Sequence, residues 1–215
     1  MISIVKSMTL SGLQGDLIET QTYITGGLPS FEIVGLPDTS VKEAKERVKA
    51  AIKNTGYEFP SRKIIINLAP ADKRKEGSYY DLPIAIGILK TLGEIVHEIG
   101  DNIIFIGELS LNGKVNRVNG ILPMCIQAIE LGAEKIIIPK ENENEANIIE
   151  GIEIIPVKSL REVVDYLNGF LEIGKNQKSY RERNTKINHF EIDFSEVKGQ
   201  KNAKRALEIA AAGRS

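Results

Sequence analysis

The chain is poor in the residues that build reactive centres: its 215 residues include one cysteine, two histidines and no tryptophan. A lone Cys125 forms no intrachain disulfide and no cysteine-based metal site, so a reducing cytoplasm is the expected setting. His97 and His189 lie far apart with no H-x-x-x-H spacing, and no metal site is expected from them. No apolar run approaches the ~20 residues of a membrane helix, so no membrane partner is expected. The opening Met1-Ile2-Ser3-Ile4-Val5-Lys6 alternates like a strand and lacks the long apolar segment of a signal peptide. The charge is almost balanced, at −1. That argues against a dedicated electrostatic nucleic-acid binder and leaves local patches open. The pattern G-x-x-x-x-G-K-[ST] occurs nowhere, so the chain lacks the glycine-rich cradle, lysine and hydroxyl that hold a nucleotide phosphate and its magnesium. No cofactor is expected in this chain, and the chain itself is not expected to be an enzyme.

Hydrophobic residues are 42% of the chain, enough for a globular core. Residues 3–11 and 16–25 alternate with period two and predict a β-hairpin, and Phe31 to Val34 continues as a short strand. Val41, Ala44, Val48, Ala51 and Ile52 share one face of a helix on which Glu43 and Arg47 stand four apart. Ile64 to Leu68 is a continuous apolar run that reads as a strand buried on both sides. Residues 69–80 form a charged loop, and a second helix starts at Asp81 with Pro83 in its first turn. Strands over 103–106 and 109–115 follow, with Asn112-Gly113 as a two-residue hairpin signal. Helices over 121–131, 143–149 and 159–168 alternate with strands over 135–138 and 153–157. The fold class is α/β, a mixed sandwich whose sheet is covered on at least one face.

Composition divides the chain into a domain at 1–170, a basic linker at 171–190 and a further segment at 191–215. The linker carries Lys175, Lys178, Arg181, Arg183 and Lys186 and reads as a solvated tether that can also touch phosphates. In the last segment a strand-like entry, Ile192 to Val197, leads through Lys198-Gly199-Gln200 into a helix with Ala203, Ala206, Leu207 and Ala210 on one side. Val197, Gly199 and Gln200 are candidate nucleotide-binding residues if this is the entry to an ATPase module. A plain amphipathic helix after a glycine turn is the simpler reading.

Other candidates are weaker. Tyr79 and Tyr80 beside Lys73, Arg74 and Lys75 could stack a base and hold a phosphate, although packing over the sheet edge explains the tyrosines as well. Glu141, Glu143 and Glu145 read as a solvated helix start. Asp38 and Asp81, each opening a helix, read as caps.

Three stretches carry a family resemblance. They are Gly26-Gly27-Leu28-Pro29-Ser30-Phe31-Glu32-Ile33-Val34-Gly35-Leu36-Pro37-Asp38, Ile66-Asn67-Leu68-Ala69-Pro70-Ala71-Asp72, and Glu76-Gly77-Ser78-Tyr79-Tyr80-Asp81-Leu82-Pro83-Ile84-Ala85. Together they resemble the magnesium chelatase subunit ChlI-like proteins, within them the ComM/YifB group of bacterial AAA+ ATPases. The resemblance implies that an AAA+ module continues the chain past Arg214-Ser215 and is the domain's partner in the same protein. It also implies a homo-oligomeric ring, ATP and Mg2+ for the full-length protein, and DNA as the motor's substrate in branch migration, recombination or natural transformation. The alternatives are a magnesium chelatase accessory subunit and a peptidase.

The domain in turn resembles the Lon proteolytic domain and the RadA C-terminal domain at Gly107-Glu108-Leu109-Ser110-Leu111-Asn112-Gly113-Lys114-Val115, Asn119-Gly120-Ile121 and Gly132 to Asn142. That likeness implies a ribosomal-protein-S5-domain-2-like fold. Lon-type hydrolysis needs a serine activated by a neutral lysine. Here Tyr79 falls at the nucleophile position and Leu122 at the lysine position, so the domain is read as a pseudo-protease. Ser78 is one residue off, with Lys75, Lys114 and Lys140 as the lysines that could approach it.

Overall fold

The computed structural model describes residues 2–11, 14–173 and 199–212. The chain divides into two units, Met1–Gln177 and Lys178–Ser215. The first opens with β1 (Ile2–Ser11) and β2 (Gln14–Thr25), an antiparallel pair in register from Ile2 opposite Tyr23 to Ser11 opposite Gln14. Then come β3 (Ser30–Val34), α1 (Thr39–Asn54), β4 (Lys63–Ala69), α2 (Asp81–Leu92), β5 (Ile103–Phe105), β6 (Glu108–Leu109) and β7 (Val115–Asn116). After α3 (Ile121–Glu130) and β8 (Lys135–Pro139), a short turn of helix leads into α4 (Glu143–Ala146), followed by β9 (Glu153–Val157) and α5 (Leu160–Leu167).

Seven strands form one sheet in the order β3-β4-β2-β1-β5-β8-β9, and β6 and β7 pair separately. Four of the main-sheet pairings are parallel, β3 with β4, β1 with β5, β5 with β8 and β8 with β9. The fold is therefore mixed α/β with a mostly parallel sheet. Alternation along the strands sorts side chains to two cores. Phe105 and Ile137 join Val5, Ile18, Ile64 and Ile66 against α1, α2 and α5. Ile104, Ile106, Ile136 and Ile138 join Met8 against α3 and Ala146 of α4.

Helix α2 is apolar and buried on every side from Leu82 to Leu89. Leu82, Ile84, Ile86, Ile88 and Leu89 are each 0% exposed, which makes on the order of 10 kcal/mol of gross burial. It lies close on the β1–β2 pair because Gly87 has no Cβ to meet the Thr22 side chain. Helix α1 begins at Asp38, whose Oδ1 accepts from the Val41 amide at 2.8 Å, and its predicted apolar face is buried in full.

Two readings of the sequence are corrected here. The 64–68 run is not buried on both sides, because Ile64, Ile66 and Leu68 are buried while Ile65 and Asn67 are only partly so. Among the described residues of this unit no helix covers that part of the second face, and Ile2, Ile4, Tyr23 and Val34 are exposed on it. The Asn112-Gly113 hairpin is not a two-residue turn. Ser110 pairs with Lys114, the Gly113 amide donates to the Ser110 carbonyl at 2.9 Å, and Gly113 sits at φ 83. That is the three-residue hairpin with a left-handed glycine.

In the second unit the described residues form one helix, α6 (Lys201–Ala212). Gly199 and Gln200 precede it at φ 74 and 52, and the Lys204 amide donates to the Gln200 carbonyl at 3.0 Å. Val197 and the linker residues Lys175, Lys178, Arg181, Arg183 and Lys186 lie outside the described residues, as does His189.

Candidate functional site

The loop between β4 and α2 carries Lys75, Ser78 and Tyr79, and backbone pairing holds it. The Lys75 amide donates to the Leu36 carbonyl at 3.2 Å, and the Asp38 amide donates to the Lys75 carbonyl at 3.0 Å. Asp38, besides capping α1, accepts from the Gly77 amide at 3.4 Å through Oδ2. One aspartate thus joins a helix start to the loop that presents Ser78 and Tyr79.

Ser78 donates its hydroxyl to Glu108 Oε2 on β6. Glu108 Oε1 accepts from Asn116 Nδ2 at 3.3 Å, and the Ser110 hydroxyl donates to Asn116 Oδ1 at 3.0 Å. The three lysines that could have approached Ser78 have other partners. Lys75 donates to the Pro70 carbonyl, Lys114 pairs with Glu141 at 2.8 Å and Lys140 pairs with Glu143 at 2.8 Å. Tyr79 is half-buried, with its hydroxyl 3.4 Å from Thr9 Oγ1 and its ring centroid 4.9 Å from that of Tyr80. Leu122 lies in the first turn of α3, partly buried.

The aromatic-plus-basic cluster is taken apart by folding. Tyr80 and Lys75 are both fully buried, so neither is presented to a base or a phosphate. Lys75 is corrected as a nucleic-acid contact for that reason, and burial lowers its pKa. Lys73 pairs with Asp16, and Arg74, well exposed, pairs with Glu76 at 3.1 Å. The Tyr80 hydroxyl is buried beside Thr9 and Tyr79 with no hydrogen-bond partner among the described residues, and burial raises its pKa. Because nothing is lost with that oxygen, Tyr80→Phe is expected to change stability by less than about 1 kcal/mol in urea unfolding.

Asp81 is not a helix cap. Its side chain caps nothing at the start of α2 and is 0% exposed. Arg47 of α1 grips it with both arms, Nε to Oδ2 at 2.7 Å and Nη2 to Oδ1 at 3.0 Å, and the Leu109 amide of β6 donates to Oδ2 at 3.1 Å. Burial pushes the carboxyl up to about 6, against the pull of Arg47 and the Leu109 amide. The same hydrogen bond raises the Arg47 pKa. Sequence reasoning gave Arg47 to Glu43, which is the looser partner at 3.9 Å. The signal that finds the true pair is an acid leading a helix that is apolar on every side, since such an acid is buried with it.

The acidic residues near α4 are used in ion pairs, Glu141 with Lys114, Glu143 with Lys140 and Glu145 with Arg117. Among the described residues no three His, Cys, Asp or Glu side chains converge on one point. Burial pushes the Cys125 thiol up to about 12.

This geometry defines a mixed α/β domain with a pinned serine loop whose hydroxyl faces a carboxylate. Residues 20–142 match the family model described as subunit ChlI of Mg-chelatase. The chain is 41% identical over 212 residues to the YifB protein of Escherichia coli (strain K12), covering 99% of this chain and 41% of that protein. It is 37% identical over 219 residues to the competence protein ComM of Haemophilus influenzae, covering 99% and 42%. Lon protease 2 of Bacillus subtilis is 30% identical over 182 residues, 76% of this chain and 32% of that protein. The chain belongs to the ChlI Mg-chelatase family, and it spans about two fifths of the length of the YifB and ComM relatives.

Proposed function

We propose that this chain is the non-catalytic N-terminal domain of an AAA+ ATPase, serving the assembly or substrate engagement of an ATP-driven motor on DNA. The observation that carries the non-catalytic reading is the state of the serine loop. Tyr79 and Leu122 stand at the positions where Lon-type chemistry needs serine and lysine, and Ser78 hydrogen-bonds to Glu108 while the nearby lysines hold other partners. A carboxylate is a far weaker base for a hydroxyl than the unprotonated amine of that mechanism. In this reading the AAA+ module of the same protein is the domain's partner. It binds ATP and Mg2+, and the whole protein is a cytoplasmic homo-oligomeric ring.

DNA as substrate rests on the likeness to a competence protein. Branched DNA is expected to stimulate ATP hydrolysis by the full-length protein and to bind it in a salt-dependent manner. No binding at low salt would remove the DNA reading. The chain is expected to leave casein and fluorogenic peptides intact. Turnover that Ser78→Ala abolishes would establish the peptidase instead. The family description favours a second reading, an accessory role in inserting magnesium into a porphyrin. Stimulation of that insertion by the full-length protein, with no response to DNA, would select it.

A further inference from the structure

Helix α1 buries one face and leaves four lysines along the other side. Lys42, Lys49 and Lys53 are exposed and Lys45 is half-exposed. Their spacing of three, four and four residues puts them in one row, because residues three and four apart are neighbours on a helix. At 1.5 Å per residue the row is about 16 Å long.

Four in one row, these lysine side chains have no partner among the described residues. Across the described residues most cations are committed, among them Lys63 to Glu32, Lys114 to Glu141, Lys135 to Glu153 and Lys140 to Glu143. Among the described residues none of the four α1 lysine side chains makes an ion pair or a hydrogen bond. The acids on the same helix offset the row only in part, although Glu46 stands four residues from Lys42 and three from Lys49. Glu43 leans toward Arg47 at 3.9 Å on the far side, and Glu46 forms no ion pair among the described residues. Arg47 itself is turned inward to Asp81. Four ammonium groups at fixed intervals on a rigid helix, with Glu46 the acid beside them, leave a net positive row that raises the local potential on a chain of almost balanced charge.

We infer that the lysine row of α1 is a nucleic-acid contact that follows the phosphates of one DNA strand. This rests on the reading of the whole protein as a motor on DNA. A strand advances about 3.4 Å of axis per phosphate, so a row of this length meets roughly four or five phosphates with four flexible point charges. The row offers no aromatic or amide group for base edges. The contact therefore positions DNA without reading its sequence.

The test is the salt dependence of duplex and branched DNA binding by the chain. It compares the wild type with Lys42→Gln/Lys45→Gln/Lys49→Gln/Lys53→Gln and with a control of equal charge change, Lys63→Gln/Lys114→Gln/Lys135→Gln/Lys140→Gln. Circular dichroism melting checks that each variant is folded. The α1 variant is expected to bind about tenfold or more weakly at 50 mM salt, with the slope of log K against log salt flatter by about 3 to 4, on AT-rich and GC-rich duplexes alike. The control is expected to stay close to wild type. If the wild type binds DNA and the α1 variant keeps its affinity and slope, the row is not the contact and the DNA reading stands. An equal loss in both variants also overturns the row, since net charge alone then explains the binding. If the chain binds no DNA at low salt while the full-length protein does, the row falls and the DNA reading stands; if neither binds, the two fall together.

Discussion

Arg47→Ala is expected to cost the folded protein about 3–5 kcal/mol at pH 7 and visibly less at pH 5, because it leaves the fully buried Asp81 carboxylate with one amide for company. The sign follows from the folded carboxyl sitting at about 6, above the roughly 3.9 of an aspartate in an unfolded chain. The folded state then holds the proton more tightly. In the wild type the stability contributed by this group falls as pH rises from about 4 to about 6 and is level above that. Without Arg47 the carboxyl climbs further, so the fall extends past neutrality and the variant suffers most where the wild type is already level. At pH 5 the variant's Asp81 is protonated, and the cost shrinks to lost packing and hydrogen bonds. Arg47→Lys keeps the charge but not the two-pronged fork, and is expected to recover only part of the loss. Urea unfolding at pH 5, 6, 7 and 8 measures all three proteins. An equal cost at pH 5 and pH 7 would mean that the carboxylate is not what Arg47 holds.

Gly35→Ala is the second substitution with a large expected effect, a loss of about 3 kcal/mol or more, or failure to accumulate folded protein. Gly35 sits at φ 98 on the turn from β3 into α1, and a Cβ there would overlap the Leu68 backbone of the neighbouring strand. Neither problem can be relaxed by a rotamer change, since both partners are main chain. The next residue, Leu36, is already left-handed at φ 56, so the turn has little room to redistribute strain. Gly27→Ala is the internal control. Gly27 also has a positive φ, at 126, but open space where the methyl would go, so it is expected to lose less. Thermal melts that move equally for the two variants would show that conformation alone, and not the Leu68 contact, sets the cost.

Most of the architecture was legible because it depends on local pattern. The period-two alternation of β1 and β2, the apolar face of α1 and the Asp38 cap are all visible in short windows of sequence. What escaped was non-local. Ile65 and Ile64 look alike in a run of isoleucines, and only the face of the sheet on which each falls separates them. Asp81 has the residue type and position of a cap, but its partner lies 34 residues back on another helix. Lys75 is indistinguishable from Lys73 and Arg74 in sequence. The backbone bridge to Pro37 is what carries it inside. That Ser78 and Tyr79 lie on one charged loop ahead of α2 was readable, since residues 69–80 show no period before the helix start at Asp81. The network around Glu108 and Asn116 was not, because it needs the β6–β7 hairpin to bring them to Ser78.

The first strand of the chain lies in the middle of the sheet, flanked by β2 on one side and β5 on the other. That placement sets a schedule for the nascent protein. The β1–β2 hairpin can pair as soon as residue 25 has emerged, but the other edge of β1 meets Ile104 only after residues up to β5 have been made. At roughly 5–20 residues per second, synthesis leaves that edge unpaired for several seconds. Its closure also carries the loop-closing entropy of a long separation, which slows folding. The growing chain therefore passes through an interval in which a half-built sheet presents its central strand, and this is the interval in which folding helpers or premature association would act on it.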